Sequence, residues 1–371
     1  MKLRYKILGG LAALIVAGVI VLGQYMSHTV PCGAQPAPPA GAVLMKSVVQ
    51  GCYGSPDVLK VADVAKPVPG PDEVLVKVHA ASVNPLDWHY LEGTPYIVRI
   101  DRGFGKPEDP RLGVDFAGTV EAVGRDVRRL KVGDEVFGGK IGAFGEYVTV
   151  REERAVTTKP RNVTFEQAAA VPVAAITALQ ALRDTGKIRA GQKVLINGAS
   201  GGVGTYAVQL AKAFGAEVTG VCSTKNLELV RSLGADHVID YTREDFTKGS
   251  EHYDVILDTV STHSPLEYRR VMAPKGIYVM VGSTETGHWF GFFVKPIEGM
   301  LLSPFVGQHF NMMLAQLNRK DLATLADLMQ SGKLTSVIDR RYPLSDTAEA
   351  MRYLEKGHAR GKVVLDVDSG S

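Results

Sequence analysis

The sequence predicts an α/β protein in which a compact β-rich unit joins a doubly wound parallel sheet, behind an N-terminal hydrophobic helix. Three observations predict it. Short β-rich segments punctuated by Gly and Pro run from Lys46 to about Ala168, strands and helices alternate after Phe165, and the 17 residues 7–23 carry no charge. The 371 residues are enough for two folding units of roughly 100 to 200 residues each. A composition of 45% apolar and 22% charged residues belongs to an ordinary globular chain that buries a sizeable core. The net charge of +3 comes from interspersed Lys, Arg, Asp and Glu, with no basic run to track a phosphate backbone, so nucleic-acid binding is not expected.

Residues 1–6 are basic through Lys2, Arg4 and Lys6, and the run 7–23 meets the lower limit for a bilayer-crossing helix. Two readings stand: a retained signal anchor, or a signal peptide cleaved after Ala34. The anchor is favoured, because that cut lies 11 residues beyond the apolar run. Residues 24–45 form a linker whose Pro-rich stretch 35–41 reads as a semi-rigid spacer. Cys32, Cys52 and Cys222 are far apart and form no Cys-x-x-Cys pair, so neither a disulfide framework nor a metal clip is expected. Cys222, at a strand end, reads as a small buried hydrophobe.

In the body, strands are predicted at 72–81, 118–123, 134–137 and 145–150. Then follow strand 193–197, helix 203–214, strand 217–222, helix 226–233, strands 237–240 and 253–258, helix 265–272 and strand 276–281. A tail with a helix near 321–331, a strand near Ile338, a helix at 346–356 and a strand at 361–366 returns to the first unit.

The strongest local signal is the strand Val194-Leu195-Ile196-Asn197 running into Gly198-Ala199-Ser200-Gly201-Gly202-Val203-Gly204 and a helix. It departs from Gly-x-Gly-x-x-Gly only at Ala199. Gly201 lets backbone approach a pyrophosphate, Gly204 lets helix and strand pack closely, and the helix N-terminal amides complement the charge. Ser200, Gly201, Gly202, Val203 and Gly204 are therefore cofactor-site candidates. About 20 residues on, where an NADH site places Asp or Glu, stand Cys222-Ser223-Thr224-Lys225. The hydroxyls of Ser223 and Thr224 and the Lys225 ammonium suit a 2′-phosphate, which predicts NADPH over NADH.

These pieces, with Val171-Pro172-Val173-Ala174-Ala175-Ile176-Thr177-Ala178, Ser82-Val83-Asn84-Pro85-Leu86-Asp87, Gly113-Val114-Asp115-Phe116-Ala117-Gly118, Val132-Gly133-Asp134-Glu135-Val136-Phe137 and Leu233-Gly234-Ala235-Asp236, make the chain resemble the medium-chain dehydrogenase/reductases, in the quinone oxidoreductase (enoyl reductase-like) branch. The resemblance implies a GroES-like β-barrel catalytic domain, 46–168 with the return segment 317–368, around a Rossmann NADPH-binding domain, 169–316, with the active site between them. It also implies Thr177, Gly282 and Ser283 near the nicotinamide, and Ser223, Lys225 and Tyr241 around the adenosine phosphate.

The resemblance further implies that no zinc is bound. The zinc members of the superfamily carry Gly-His-Glu where this chain reads Gly113-Val114-Asp115, and three dispersed cysteines cannot supply tetrahedral donors. His79, His89, His237, His252 and His263 read as surface or core histidines. Without a Lewis acid, hydride addition to an electron-poor alkene or quinone is easier than alcohol oxidation, provided one donor meets the developing oxyanion. The loop after the first long strand offers Asn84, His89, Tyr90 and Tyr96 as the polar candidates. Each also has a structural reading: Asn84 as a turn residue, the tyrosines as core aromatics.

The expected function is NADPH-dependent reduction of a quinone or α,β-unsaturated carbonyl. A non-catalytic NADPH-binding redox sensor and an alcohol dehydrogenase with an atypical metal site are the alternatives. A homodimer is a candidate assembly. The apolar stretch 289–307 reads as buried packing, pocket wall, subunit contact or interfacial membrane contact. Positive charge before the apolar run and none from 24 to 45 places the body outside the cytoplasm, against a cofactor kept inside cells. Inverted topology, an external compartment and a start at Met45 all stay open.

Overall fold

The computed structural model describes residues 18, 21–33, 37–283, 287–289 and 291–368. Two sheets carry the fold. The first contains β3 (Glu73–Val83), β4 (Asp115–Val123), β5 (Glu135–Gly139), β6 (Tyr147–Arg151), β7 (Val156–Thr158), β14 (Ile338–Pro343) and β15 (Lys362–Asp366), ordered β14-β15-β3-β4-β5-β7 with β6 on β3. The 11-residue β3 is its axis: its first half pairs with β6 and its second with β15, so the C-terminal segment closes the same unit as the N-terminal one. An antiparallel pair, β1 (Leu44–Gln50) and β2 (Leu59–Ala65), lies beside it.

The second sheet is parallel. Its strands β8 (Lys193–Asn197), β9 (Glu217–Cys222), β10 (His237–Asp240), β11 (Tyr253–Asp258), β12 (Met272–Met280) and β13 (His309–Met312) are ordered β10-β9-β8-β11-β12-β13. Counted from β8 this is 3-2-1-4-5-6, the dinucleotide-binding order, with its switch point between β8 and β11. Val194, Leu195 and Ile196 of β8 are fully buried, as in a parallel strand covered on both faces.

One apolar core crosses from unit to unit, joining Ala80, Ala117 and Phe137 to Ile176, Val194, Tyr206 and Val364. Polar ties reinforce it. The Tyr206 hydroxyl meets Ser336 Oγ at 2.7 Å, Gln209 bonds the Thr335 backbone at both its amide atoms, and Gly361 N donates to Ser200 O at 2.9 Å.

Several features depart from the sequence reading, among them β7 (Val156–Thr158) and the helices Pro85–Glu92 and Pro172–Gln180. The β1–β2 pair and β13 were not expected; β13 is four residues long and carries His309 and Asn311, so it lacks a strand's apolar signature. Helix Gly291–Leu302 contains Pro296; Pro296 and Gly299 are buried, Gly299 against Phe310. The expectation of no disulfide is corrected: Cys32 and Cys52 are bonded, since the linker folds back onto the body and erases their 20-residue separation. There Val30 N donates to Gly105 O at 2.9 Å, and the buried Arg99 guanidinium donates to Met26 O and His28 O. The expected helix 7–23 lies largely outside the described residues, of which Gly18 and 21–27 are helical. Among the described residues no helix is long and apolar enough to cross a membrane.

Candidate active site

The phosphate loop leaves β8 and opens helix Gly202–Ala213 with Gly201 at its N-cap, where no side chain caps the first-turn amides. Its glycines do different work. Gly198 has φ +82°, and a Cβ there would stand 2.2 Å from Thr259 Oγ1, so Gly198 makes the tight turn and Ala199 is harmless in the place the motif gives to glycine. A Cβ on Gly204 would fall 2.1 Å from Gly198 O, which is the close helix–strand approach. Gly201 is otherwise: a Cβ would find only Gly198 O, at 3.4 Å. The fold has room for a Cβ at Gly201, and the bare backbone leaves that room to a ligand.

The loop is tied to the turn after β9 by Asn226, a buried residue not singled out from sequence. Its Nδ2 donates to Ser200 Oγ at 2.9 Å and Ser223 Oγ at 3.2 Å, while its buried Oδ1 has no partner. An orphaned acceptor beside a phosphate loop fits a nucleotide hydroxyl. Thr224 and Lys225 are exposed beyond it, and Tyr241 is 56% exposed at the end of β10. A carboxylate is nearby, but it is engaged: Asp240 accepts from Thr224 Oγ1 at 2.5 Å, from the Thr242 hydroxyl and amide, and faces Arg243 at 3.5 Å. The Thr224 hydroxyl, then those Thr242 bonds, hold its carboxyl below the usual range.

Thr177 is buried in helix Pro172–Gln180 and its hydroxyl donates to Val173 O at 2.7 Å. Gly282 lies against Thr259 O, and Ser283 is partly exposed. The chain beyond them reaches the catalytic unit, where Tyr96 N donates to His288 O at 2.8 Å.

A fully buried polar cluster is built from four elements of the first unit: β3, helix Pro85–Glu92, β4 and β15. Asn84, at the end of β3, donates from Nδ2 to Asp115 Oδ2 at 2.9 Å and to Ser82 O, and its Oδ1 accepts from Lys362 Nζ. Lys362 Nζ lies 3.6 Å from Asp115 Oδ2, and Val173 N donates to Asp115 Oδ1 at 3.0 Å, so the cluster also holds the helix bearing Thr177. Asp87 Oδ2 accepts from Asn84 N at 2.8 Å, but its Oδ1 is buried without a partner. Burial, then the Asp115 charge, pushes Asp87 up to about 8, and burial pushes Asp115 up to about 6 against the pull of Lys362. Burial pushes Lys362 down.

Asp87 ties pH to stability. Its folded-state pKa lies above the ordinary 3.8, so the folded protein retains a proton that the unfolded chain releases. Stability from this group is full below about pH 4 and is lost as pH rises through about 8. Asp87→Asn keeps an acceptor for Asn84 N and removes the titration. Compared with the parent in urea melts, it is expected to gain about 1–3 kcal/mol between pH 4 and 8; parallel pH curves would refute this.

The four catalytic candidates do not share one place. Asn84 has its polar atoms committed to the cluster, which makes it a positioning residue. His89 Nδ1 donates to Thr94 O at 2.8 Å, and burial pushes its imidazole down, so it is neutral with Nε2 as an acceptor. Tyr90 packs into the first unit's core with Arg102 over its ring, and burial pushes its hydroxyl up. Tyr96 is half-buried, stacked on His288, edge-on to Trp289 and under Arg99. Asp87, Asp115, Lys362 and Asn226 were missed. Asp87 and Asp115 stood in the quoted motifs without a role, and Lys362 had a signal of its own, a lone cation opening the apolar strand Lys362-Val363-Val364-Leu365. Among the described residues no three His, Cys, Asp or Glu side chains converge as metal ligands would.

Comparison with known proteins agrees with this geometry. Residues 70–161 match the alcohol dehydrogenase GroES-like domain and residues 233–365 the family described as zinc-binding dehydrogenase. The chain is 35% identical to the mitochondrial NAD(P)H oxidoreductase RTN4IP1 of Bos taurus, over 88% of this chain and 90% of that one. It is 36% identical to the chloroplastic NADPH-dependent alkenal/one oxidoreductase of Arabidopsis thaliana, over 86% and 79%. The solved quinone oxidoreductase from Coxiella burnetii superposes with a TM-score of 0.77 at 31% identity, covering 88% of this chain and all of that one. The chain belongs to the medium-chain dehydrogenase/reductase superfamily, in its zinc-independent quinone oxidoreductase branch.

Proposed function

We propose that this protein is an NADPH-dependent reductase that delivers hydride to a quinone or an α,β-unsaturated carbonyl without a metal. The observation that carries the reading is the glycine cradle at Gly201, linked through Ser200 and Asn226 to the hydroxyl- and lysine-bearing turn 223–225. The names of the quinone and alkenal/one oxidoreductase relatives support the acceptor class. The residue set explains the absence of a metal role for Asp115: its oxygens are taken by Asn84, Lys362 and the Val173 amide.

Bound reduced nicotinamide supplies the hydride. The chain's part is to hold that group between Thr177 and residues 282–283 and to stabilise the oxyanion that develops on the acceptor. Tyr96 is the candidate best placed to give a proton, because neutral His89 offers only an acceptor nitrogen and Asn84 is sealed. NADPH oxidation assayed against quinones, enals and enones tests the reading. Turnover supports it, and tight NADPH binding without turnover on any of them replaces it with the redox-sensor alternative.

The preference for NADPH rests on Lys225 and on the Asp240 carboxylate being engaged by Thr224, Thr242 and Arg243 rather than offered to a ribose. Lys225→Ala is expected to raise KM for NADPH about tenfold and leave KM for NADH unchanged. A parent enzyme that prefers NADH overturns it. We also propose that the run 7–23 tethers the protein to a membrane. The Cys32–Cys52 bond supports the placement of the body in an oxidising compartment.

A further inference from the structure

Large apolar side chains are exposed in three segments that meet one another. Val21, Leu22 and Tyr25 are 57–65% exposed on the helical residues leading out of the run 7–23. Ile97, Ile100 and Phe104 are 41–60% exposed in the loop after β3. Trp289, Val294, Ile297, Met300, Leu301 and Phe305 are 39–85% exposed in and around helix Gly291–Leu302.

Contacts join the three. The Tyr25 and Phe104 rings lie 5.0 Å apart, a Cβ on Gly23 would be 3.4 Å from Trp289, and Tyr96 sits edge-on to Trp289 at 4.7 Å. The Cys32–Cys52 bond and the Arg99 guanidinium, which binds Met26 O and His28 O, fix the segment to the body. The helix is two-faced: Pro296 and Gly299 are buried, while Val294, Ile297 and Leu301 recur at helical spacing on the outer side, with Glu298 their one charged neighbour there. A contiguous apolar face of this kind on a folded domain marks a contact.

We propose that this face lies on a lipid bilayer beside the N-terminal span, with helix Gly291–Leu302 seated in the interface. The occupant follows from continuity: the 17 uncharged residues 7–23 end against Trp289, so a bilayer holding that run must begin where the exposed face begins. Trp289, Tyr25 and Tyr96 are the residue types that favour that boundary. The inference rests on the tether and is independent of the catalytic reading. It brings Tyr96, which packs on Trp289, to the lipid surface, where a membrane-dissolved acceptor is concentrated.

The test uses the full chain reconstituted in phosphatidylcholine vesicles with plain or brominated acyl chains. Two versions are compared, Trp289→Phe and Trp289→Phe with Met300→Trp, so that the difference spectrum reports position 300 alone. Both are expected to co-float with the vesicles, and the position-300 emission is expected to lose about half its intensity or more in brominated lipid. A chain that does not co-float overturns both tether and face. Co-flotation with unquenched emission overturns the face and keeps the tether. Unquenched emission with a sedimenting dimer that Ile297→Asp dissociates assigns the face to a second copy, and also overturns the proposal.

Discussion

Lys362→Met is expected to cost the protein about 3–5 kcal/mol, measured as the loss of unfolding free energy in urea. The lysine is 3% exposed and its Nζ is, among the described residues, the cation in contact with a cluster that holds Asp115 and Asp87, both fully buried. Removing it strands the Asp115 carboxylate and leaves Asn84 Oδ1 without its donor, and each orphaned group loses hydration without repayment. Most of the cost comes from the charge left behind, so Lys362→Met combined with Asp115→Asn is expected to recover more than half of it. A double variant as unstable as the single one contradicts this account. The same change should loosen the cofactor site, because Gly361 N bonds Ser200 O and the Lys362 stem lies under Gly202. The buried cation thus connects the floor of the catalytic unit to the phosphate loop.

What could be read from the sequence was what local chemistry writes locally. The β8–loop–helix signal lies within residues 193–214 and depends on glycine geometry and strand apolarity, so it needed no tertiary information. The polar cluster is the opposite case. Asn84, Asp115 and Lys362 are separated by up to 278 residues and come together only when β15 pairs with β3 and β3 with β4. Asn84 and Asp87 also looked like an ordinary turn and helix start, and Asp87 does accept from the Asn84 amide there; nothing in that pattern announced a buried carboxyl. Tyr90 and Tyr96 lie six residues apart, yet Tyr90, in helix Pro85–Glu92, packs on the core while Tyr96, in the short turn 96–98, packs on residues 288–289, a division set by Arg102 and by those residues. The cysteine reading failed for the same reason as the cluster: spacing along the chain said nothing of a linker that folds back.

Gly201→Val is expected to weaken NADPH binding by about 100-fold or more while moving the melting temperature little. Both halves come from one geometry. Gly201 has φ −80° and ψ −179°, an extended conformation that suits a β-branched residue, and a Cβ there meets only one atom of the protein, at 3.4 Å. The cost to the fold is therefore small. The new side chain instead fills the space over the uncapped amides of helix Gly202–Ala213, where a pyrophosphate must come within hydrogen-bond distance of backbone. Gly204→Ala is the control with the opposite signature, because its Cβ would collide with Gly198 O at 2.1 Å and the loop must move. That variant should lower the melting temperature and lose binding through misfolding of the loop. Calorimetric titration of NADPH alongside thermal melts separates the two. If Gly201→Val bound NADPH as the parent does, the cofactor would have to approach this sheet elsewhere, and the roles given to Ser200, Asn226 and Lys225 would fall with it.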